Sequence, residues 1–113
     1  MEKMNQYQNL IVSLLKEYAL PPEPNKPELL DSVICDYETH NFQLLTTGWD
    51  GKRYQFIVNF HFQIKPNGKA WLLVNNTDVQ IAEELVKRGV PREDIVLGFQ
   101  PPYARAYTDF AAA

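Results

Sequence analysis

Cysteine is almost missing from this chain: Cys35 is the only one in 113 residues. No internal disulfide can form, and a lone thiol inside an apolar run fits a reduced, intracellular setting. As a nucleophile Cys35 would need an activating histidine, and the sequence alone places none beside it. Histidine is nearly as scarce, with His40 in a turn and His61 on a strand. No pair of residues sits at CxxC, HxxxH or HExxH spacing, so no metal is expected. The five glycines (48, 51, 68, 89 and 98) make neither GxGxxG nor a P-loop. A nucleotide cofactor therefore has no signal. A basic surplus is also absent, with 11 basic against 14 acidic residues and a net charge of −3. Stand-alone DNA-binding domains usually carry such a surplus, because phosphate neutralisation supplies most of their affinity. No run approaches the ~18–20 apolar residues of a membrane span. The opening MEKMNQYQNL lacks a basic region followed by an apolar core, so no signal peptide is expected. These absences together lead to the expectation of a cytoplasmic protein without metal or cofactor.

What is present is an ordinary globular composition, 45% hydrophobic and 22% charged with 12% aromatic residues. That is too apolar for disorder, and the length supports one domain spanning residues 1–113. Charge is unevenly spread. Residues 1–40 hold three basic and seven acidic groups, and residues 77–113 hold four and six. Residues 41–76 hold Lys52, Arg53, Lys65 and Lys69 against Asp50 alone, a local surplus of +3. A solvated sheet face accounts for that surplus, and a phosphate contact is the rival reading.

The spacing of Met4, Tyr7, Ile11, Leu14, Leu15 and Tyr18 predicts an amphipathic helix over residues 3–19. Pro21 and Pro22 stop it, and PPEPNKP (21–27) reads as an extended connector. Four strands follow: LLDSVICDY (29–37), NFQLLTTGW (41–49), RYQFIVNFHFQIK (53–65) and AWLLVNN (70–76). In the third, Tyr54, Phe56, Val58, Phe60, Phe62 and Ile64 alternate with polar residues, and Ile57 alone breaks the polar side. Period two predicts one buried and one wet face, with all six pointing inward. Asp50-Gly51 and Asn67-Gly68 suit hairpin turns. The result is a four-stranded antiparallel meander in spatial order 1-2-3-4. A second helix is expected from Thr77, capped reciprocally with Gln80 and ended at Gly89. VPREDIVLGF (90–99) reads as one helical turn and a short apolar extended piece. The tail PPYARAYTDFAAA is too apolar to be solvated, so it should pack. The expected class is α+β: N-terminal helix, four-stranded antiparallel β-meander, second helix and packed C-terminal tail.

Catalytic constellations are hard to find. Glu83-Glu84 are helix neighbours about 100° apart and do not make an acid/base pair. They and Glu93-Asp94 read as solvated or capping groups. Ser13 and Ser32 have no nucleophile elbow around them. RNA-binding sheets expose their aromatics, whereas those of the third strand are expected in the core.

Several motifs nevertheless resemble one family. They are Gly48-Trp49-Asp50-Gly51, Gly68-Lys69-Ala70-Trp71-Leu72, and Thr77-Asp78 leading into Ile81-Ala82-Glu83-Glu84-Leu85. Gly89-Val90-Pro91-Arg92-Glu93-Asp94-Ile95-Val96-Leu97-Gly98-Phe99 continues the pattern. Pro101-Pro102, Arg105 and Tyr107-Thr108-Asp109-Phe110-Ala111 complete it. Together they resemble the XisI family, the fdxN element excision controlling factor proteins of cyanobacteria. Pro91 to Phe110 is the most specific block, because generic helix or strand patterning does not force its residue types. Gln100 in place of a histidine, Asp78 in place of a glutamate and Val90 in place of an isoleucine are small departures.

The resemblance implies an accessory role in programmed excision of a DNA element during heterocyst differentiation. A separate site-specific recombinase exchanges the strands, and the family acts with a companion protein, XisH. The family has no established catalytic residues, so none transfers. The leading expectation is a non-enzymatic protein–protein module that binds an XisH-like partner. Tyr103, Arg105, Tyr107, Asp109 and Phe110 are its candidate partner- or self-interface. Tyr103, Tyr107 and Phe110 should bury against the domain or a second subunit. Arg105 and Asp109 should pair if the tail is helical. A homodimer is another way to hide a bare sheet face. The rival classes are direct nucleic-acid binding through the +3 segment and, last, a small nuclease, for which no carboxylate cluster is legible.

Overall fold

Burial of one helix stripe organises the N-terminal part of the protein. The computed structural model describes residues 2–113, and α1 spans Glu2–Tyr18. Tyr7, Ile11, Leu14 and Leu15 recur at spacings of four, three and one, and all are buried. Each such side chain contributes about 1.5–3 kcal/mol by leaving water. The helix ends just before Pro21-Pro22, its last turn closed by the Ala19 amide donating to the Leu15 carbonyl. The strands beneath it are β1 (Leu30–Asp36), β2 (Asn41–Asp50), β3 (Arg53–Ile64) and β4 (Ala70–Asn75). Consecutive strands pair antiparallel, as the turn dipeptides imply.

The sheet has one strand more than the sequence pattern shows. β5 (Ile95–Leu97) pairs parallel with β4, giving a five-stranded mixed sheet in order β1-β2-β3-β4-β5. Parallel pairing needs a crossover. Here α2 (Ile81–Lys87) and the 3-10 turn Arg92–Asp94 provide it. Helix α2 starts later than expected, at Ile81, and Gln80 makes no side-chain cap. The Thr77 hydroxyl instead donates to Asn75 and accepts from the Val79 amide, so it stabilises a turn rather than a helix start. The C-terminal end matches its signal. Gly89 takes φ 107°, its amide donates to Val86, and the Val90 amide donates to Leu85. That pair of bonds is a Schellman motif.

The core lies between the sheet's inner face and the two helices. Phe42 and Leu44 of β2, Phe60, Phe62 and Ile64 of β3, and Leu72 of β4 meet the α1 stripe and Ile81, Ala82 and Leu85 of α2. Charged forks tie the helices at the rim: Arg88 grips Glu17 with both guanidinium arms, and Arg92 grips Glu83 in the same way.

Two bulges interrupt the ladders. Leu44 faces Phe60 while Leu45 faces Val58, so Asn59 is an extra residue in β3. His61 faces Val74 while Phe62 faces Leu72, so Leu73 is extra in β4. A one-residue shift sends every later side chain to the opposite face. Phe60, Phe62 and Ile64 therefore point into the core, while Tyr54, Phe56 and Val58 point away from it. This corrects the expectation of six inward-facing residues in β3. It also explains Ile57, which faces Thr46 on the helix side of the sheet.

Candidate interaction surface

Alternation about the Asn59 bulge sorts the outer face of the sheet residue by residue. It takes Leu30, Ser32, Ile34 and Asp36 from β1, then Gln43, Leu45, Thr47 and Trp49 from β2. β3 adds Tyr54, Phe56 and Val58 and, beyond the bulge, His61 and Gln63. Trp49 is 52% exposed, Tyr54 57% and Phe56 66%, with Leu30 and Ile34 about half exposed. Trp49 and Tyr54 pack edge to face, ring centres 5.4 Å apart. Among the described residues nothing covers this surface. Sequence reasoning missed it because the bulge is silent in the residue pattern, with Ile57 the sole trace.

The other half of the outer face, over β4 and β5, is covered by the tail. Trp71 faces Gln63 and is buried there, with Lys65 4.0 Å and Arg105 4.9 Å from its ring. Helix α3 (Pro102–Arg105) is a single turn. Arg105 fixes it by donating from Nε to the Gln100 carbonyl and from a terminal nitrogen to the Gly98 carbonyl. The chain then returns to the edge of β5, where the Ala111 amide donates to the Ile95 carbonyl. Phe110 is half-buried against the core, with the Arg92 guanidinium 5.3 Å from its ring.

The five candidate residues thus fall into two groups. Phe110 and Arg105 anchor the tail. Tyr103 and Tyr107 are 80% and 89% exposed, so of the two expected modes, burial against the domain or against a second subunit, the first does not occur. The reason is local: one helical turn held from its Arg105 side leaves its other side in water. The expected Arg105–Asp109 pair does not form, since α3 stops at Arg105 and that guanidinium is committed to backbone carbonyls and Trp71. Asp109 instead lies in the field of Arg92, where it helps raise the guanidinium pKa behind the larger effect of Glu83.

The +3 segment does not form one patch. Lys52 and Arg53 sit at the β2–β3 hairpin, and Lys65 and Lys69 beyond the far end of β3. The 12-residue strand that starts at Arg53 separates them, roughly 40 Å along the chain. Lys65 is stacked on Trp71 and Lys69 donates to the Ala113 carbonyl oxygen.

Perturbed groups have structural partners. The Tyr7 hydroxyl, inside the α1 stripe, donates to Asp94, and Lys3 lies 2.7 Å from the same carboxylate. Burial and then Asp94 push the Tyr7 pKa well above its ordinary value. Burial alone would raise Asp94, yet the bonds from Lys3 and Tyr7 outweigh it and hold that carboxyl below its usual value. Burial lowers His61, whose ring nitrogens lie 3.2 Å from Gln43 and 2.8 Å from Asn41. Cys35 packs against the edge of the core, and His40 lies 3.4 Å from Gln8. Among the described residues no three of His, Cys, Asp and Glu converge as a metal-ligating group. Among the same residues no helix is long and apolar enough to cross a membrane.

Known proteins match this architecture closely. The crystal structure of a XisI-like protein from Anabaena variabilis superposes with a TM-score of 0.89 at 44% identity, covering 97% of this chain and 99% of that one. The crystal structure of fdxN element excision controlling factor XisI from the same organism gives 0.79 at 33% identity, covering 98% and 99%. No curated protein matches. The XisI protein family model matches residues 1–112. The chain belongs to the XisI protein family.

Proposed function

We propose that this protein is a non-enzymatic accessory factor that controls excision of a DNA element of the fdxN type by binding an XisH-like partner protein. The family, and the excision-controlling role of its Anabaena variabilis relative, support the excision-control part. The partner contact rests on one observation: Tyr103 and Tyr107 stand 80% and 89% exposed on a tail that Arg105 and Phe110 anchor to the domain. Exposed tyrosines on a pre-ordered support are what protein interfaces use as anchors, because little side-chain entropy is lost when they dock. The net charge of −3 also favours a role in DNA rearrangement that runs through a partner. The site-specific recombinase then does the strand chemistry, and this chain acts on it indirectly, in the cytoplasm of a cyanobacterial cell.

The test is co-expression with an XisH-like protein. The tagged chain should retain that partner through a salt wash, and the Tyr103→Ala/Tyr107→Ala variant should lose it. Failure of the unaltered chain to retain the partner removes the reading.

A further inference from the structure

The bare half of the outer face has a size and a charge layout that together specify an occupant. Five apolar side chains on it, Leu30, Ile34, Trp49, Tyr54 and Phe56, are 44–66% exposed. At about 200 Å² for a whole aromatic side chain, the three rings leave roughly 350 Å² uncovered. The two aliphatic side chains bring this to roughly 450 Å². A stable interface takes about 800 Å² from each partner, about 56–65% of it apolar. The patch therefore supplies the apolar share of one side of a standard interface.

The aliphatic part of the layout is self-complementary. Ser32, Leu45 and Val58 form a row across three strands, and Leu30 and Ile34 lie two residues to either side of it on the same face. A two-fold axis along that row sets Leu30 of each copy over Ile34 of the other. It also reverses the strands. One end of the face carries Lys52 at the β2–β3 hairpin, while Arg53 and Asp50 turn to the helix side, where Asp50 lies 3.6 Å from Lys26. The opposite end carries Asp36 and Glu38 at the β1–β2 turn. The rotation lays the cationic hairpin over the anionic turn, twice. Isologous interfaces require this symmetry, and aligned sheet packing accommodates it. Nucleic acid fits less well. Trp49 and Tyr54 occupy each other edge to face, and aliphatic side chains flank them.

We infer that two copies of this chain pack face to face through the outer surface of β1–β3, leaving the tail tyrosines outside the interface. This goes beyond the proposed function and uses a different surface.

Sedimentation and light scattering on the full chain test it, with circular dichroism as a check on folding. The chain should run at twice its 13.1 kDa mass. Phe56→Glu should run as a folded monomer, since Phe56 is 66% exposed and outside the core. Lys52→Glu should raise the dimer dissociation constant about tenfold, and adding Glu38→Lys should restore it. A monomeric unaltered chain at every accessible concentration overturns the inference. So does a dimer that survives Phe56→Glu. A mobility shift on single-stranded RNA or DNA that Phe56→Glu abolishes would assign the face to nucleic acid instead. Loss of the dimer with XisH-like binding kept overturns nothing in the proposed function. Loss of that binding with the dimer kept overturns the function and not the dimer.

Discussion

Replacing Gly48 with alanine should destabilise the protein far more than the same change three residues on. Gly48 lies within β2 at φ 128°, a conformation that L side chains rarely adopt. That strain costs about 1–2 kcal/mol. A Cβ there would also stand 1.8 Å from the Glu28 carbonyl oxygen and 3.3 Å from the Leu29 Cα. Both neighbours are backbone, so the connector before β1 must move away from the sheet. Overpacking of this kind adds about 1–3 kcal/mol. The expected total is about 3 kcal/mol, which lowers Tm by about 12 °C for a domain of this size. Gly51 is the internal control. It has φ 61° with nothing within 4 Å of a Cβ, so Gly51→Ala should cost only about 1–2 kcal/mol. Urea unfolding of both variants measures the difference. Equal destabilisation would refute the close approach of Glu28 to β2.

Three further outcomes follow from the same geometry. Phe62→Ala should cost about 3–5 kcal/mol, since Phe62 is 0% exposed. Phe56→Ala in dilute protein should cost under about 0.5 kcal/mol, and similar losses from both in urea melts would refute the bulge at Asn59. Tyr7→Phe removes a bond to a charged carboxylate and should cost about 2 kcal/mol by the same measurement. Asp94 carries the acid dependence. Its folded-state pKa is lowered, so its stabilisation is present above about pH 4 and is lost as pH falls through the lowered folded value. Asp94→Asn should therefore flatten the acid limb of a stability–pH curve, and an unchanged limb would contradict the Lys3–Asp94–Tyr7 cluster.

Local signals in the sequence carried most of the fold. The helix expected over residues 3–19 is Glu2–Tyr18, and the four strands match within a residue or two of each expected boundary. Alternation, prolines and turn dipeptides act over a few residues, so their effects are visible without tertiary context. β5 was legible only as an apolar extended piece. Its three residues pair with Ala70–Leu72, across a whole crossover, and no local rule encodes that. The Asn59 bulge was illegible for a different reason. Hydrophobic alternation continues unbroken through it while the faces exchange, so the sequence reads as one buried stripe where the sheet builds two. The candidate site suffered from the same limit. The tail's anchors, Arg105 and Phe110, are placed by long-range partners in β4 and β5. The family motifs named the right segment without telling which of its aromatics face water.

On the proposed function, the anchored tail presents Tyr103 and Tyr107 to a protein partner. Titrating the purified XisH-like protein into this chain by calorimetry tests it most directly. The unaltered chain should bind, and Tyr103→Ala/Tyr107→Ala should weaken the dissociation constant about 100-fold with folding unchanged. Equal affinity for the two proteins, or no binding by the unaltered chain, would contradict the claim.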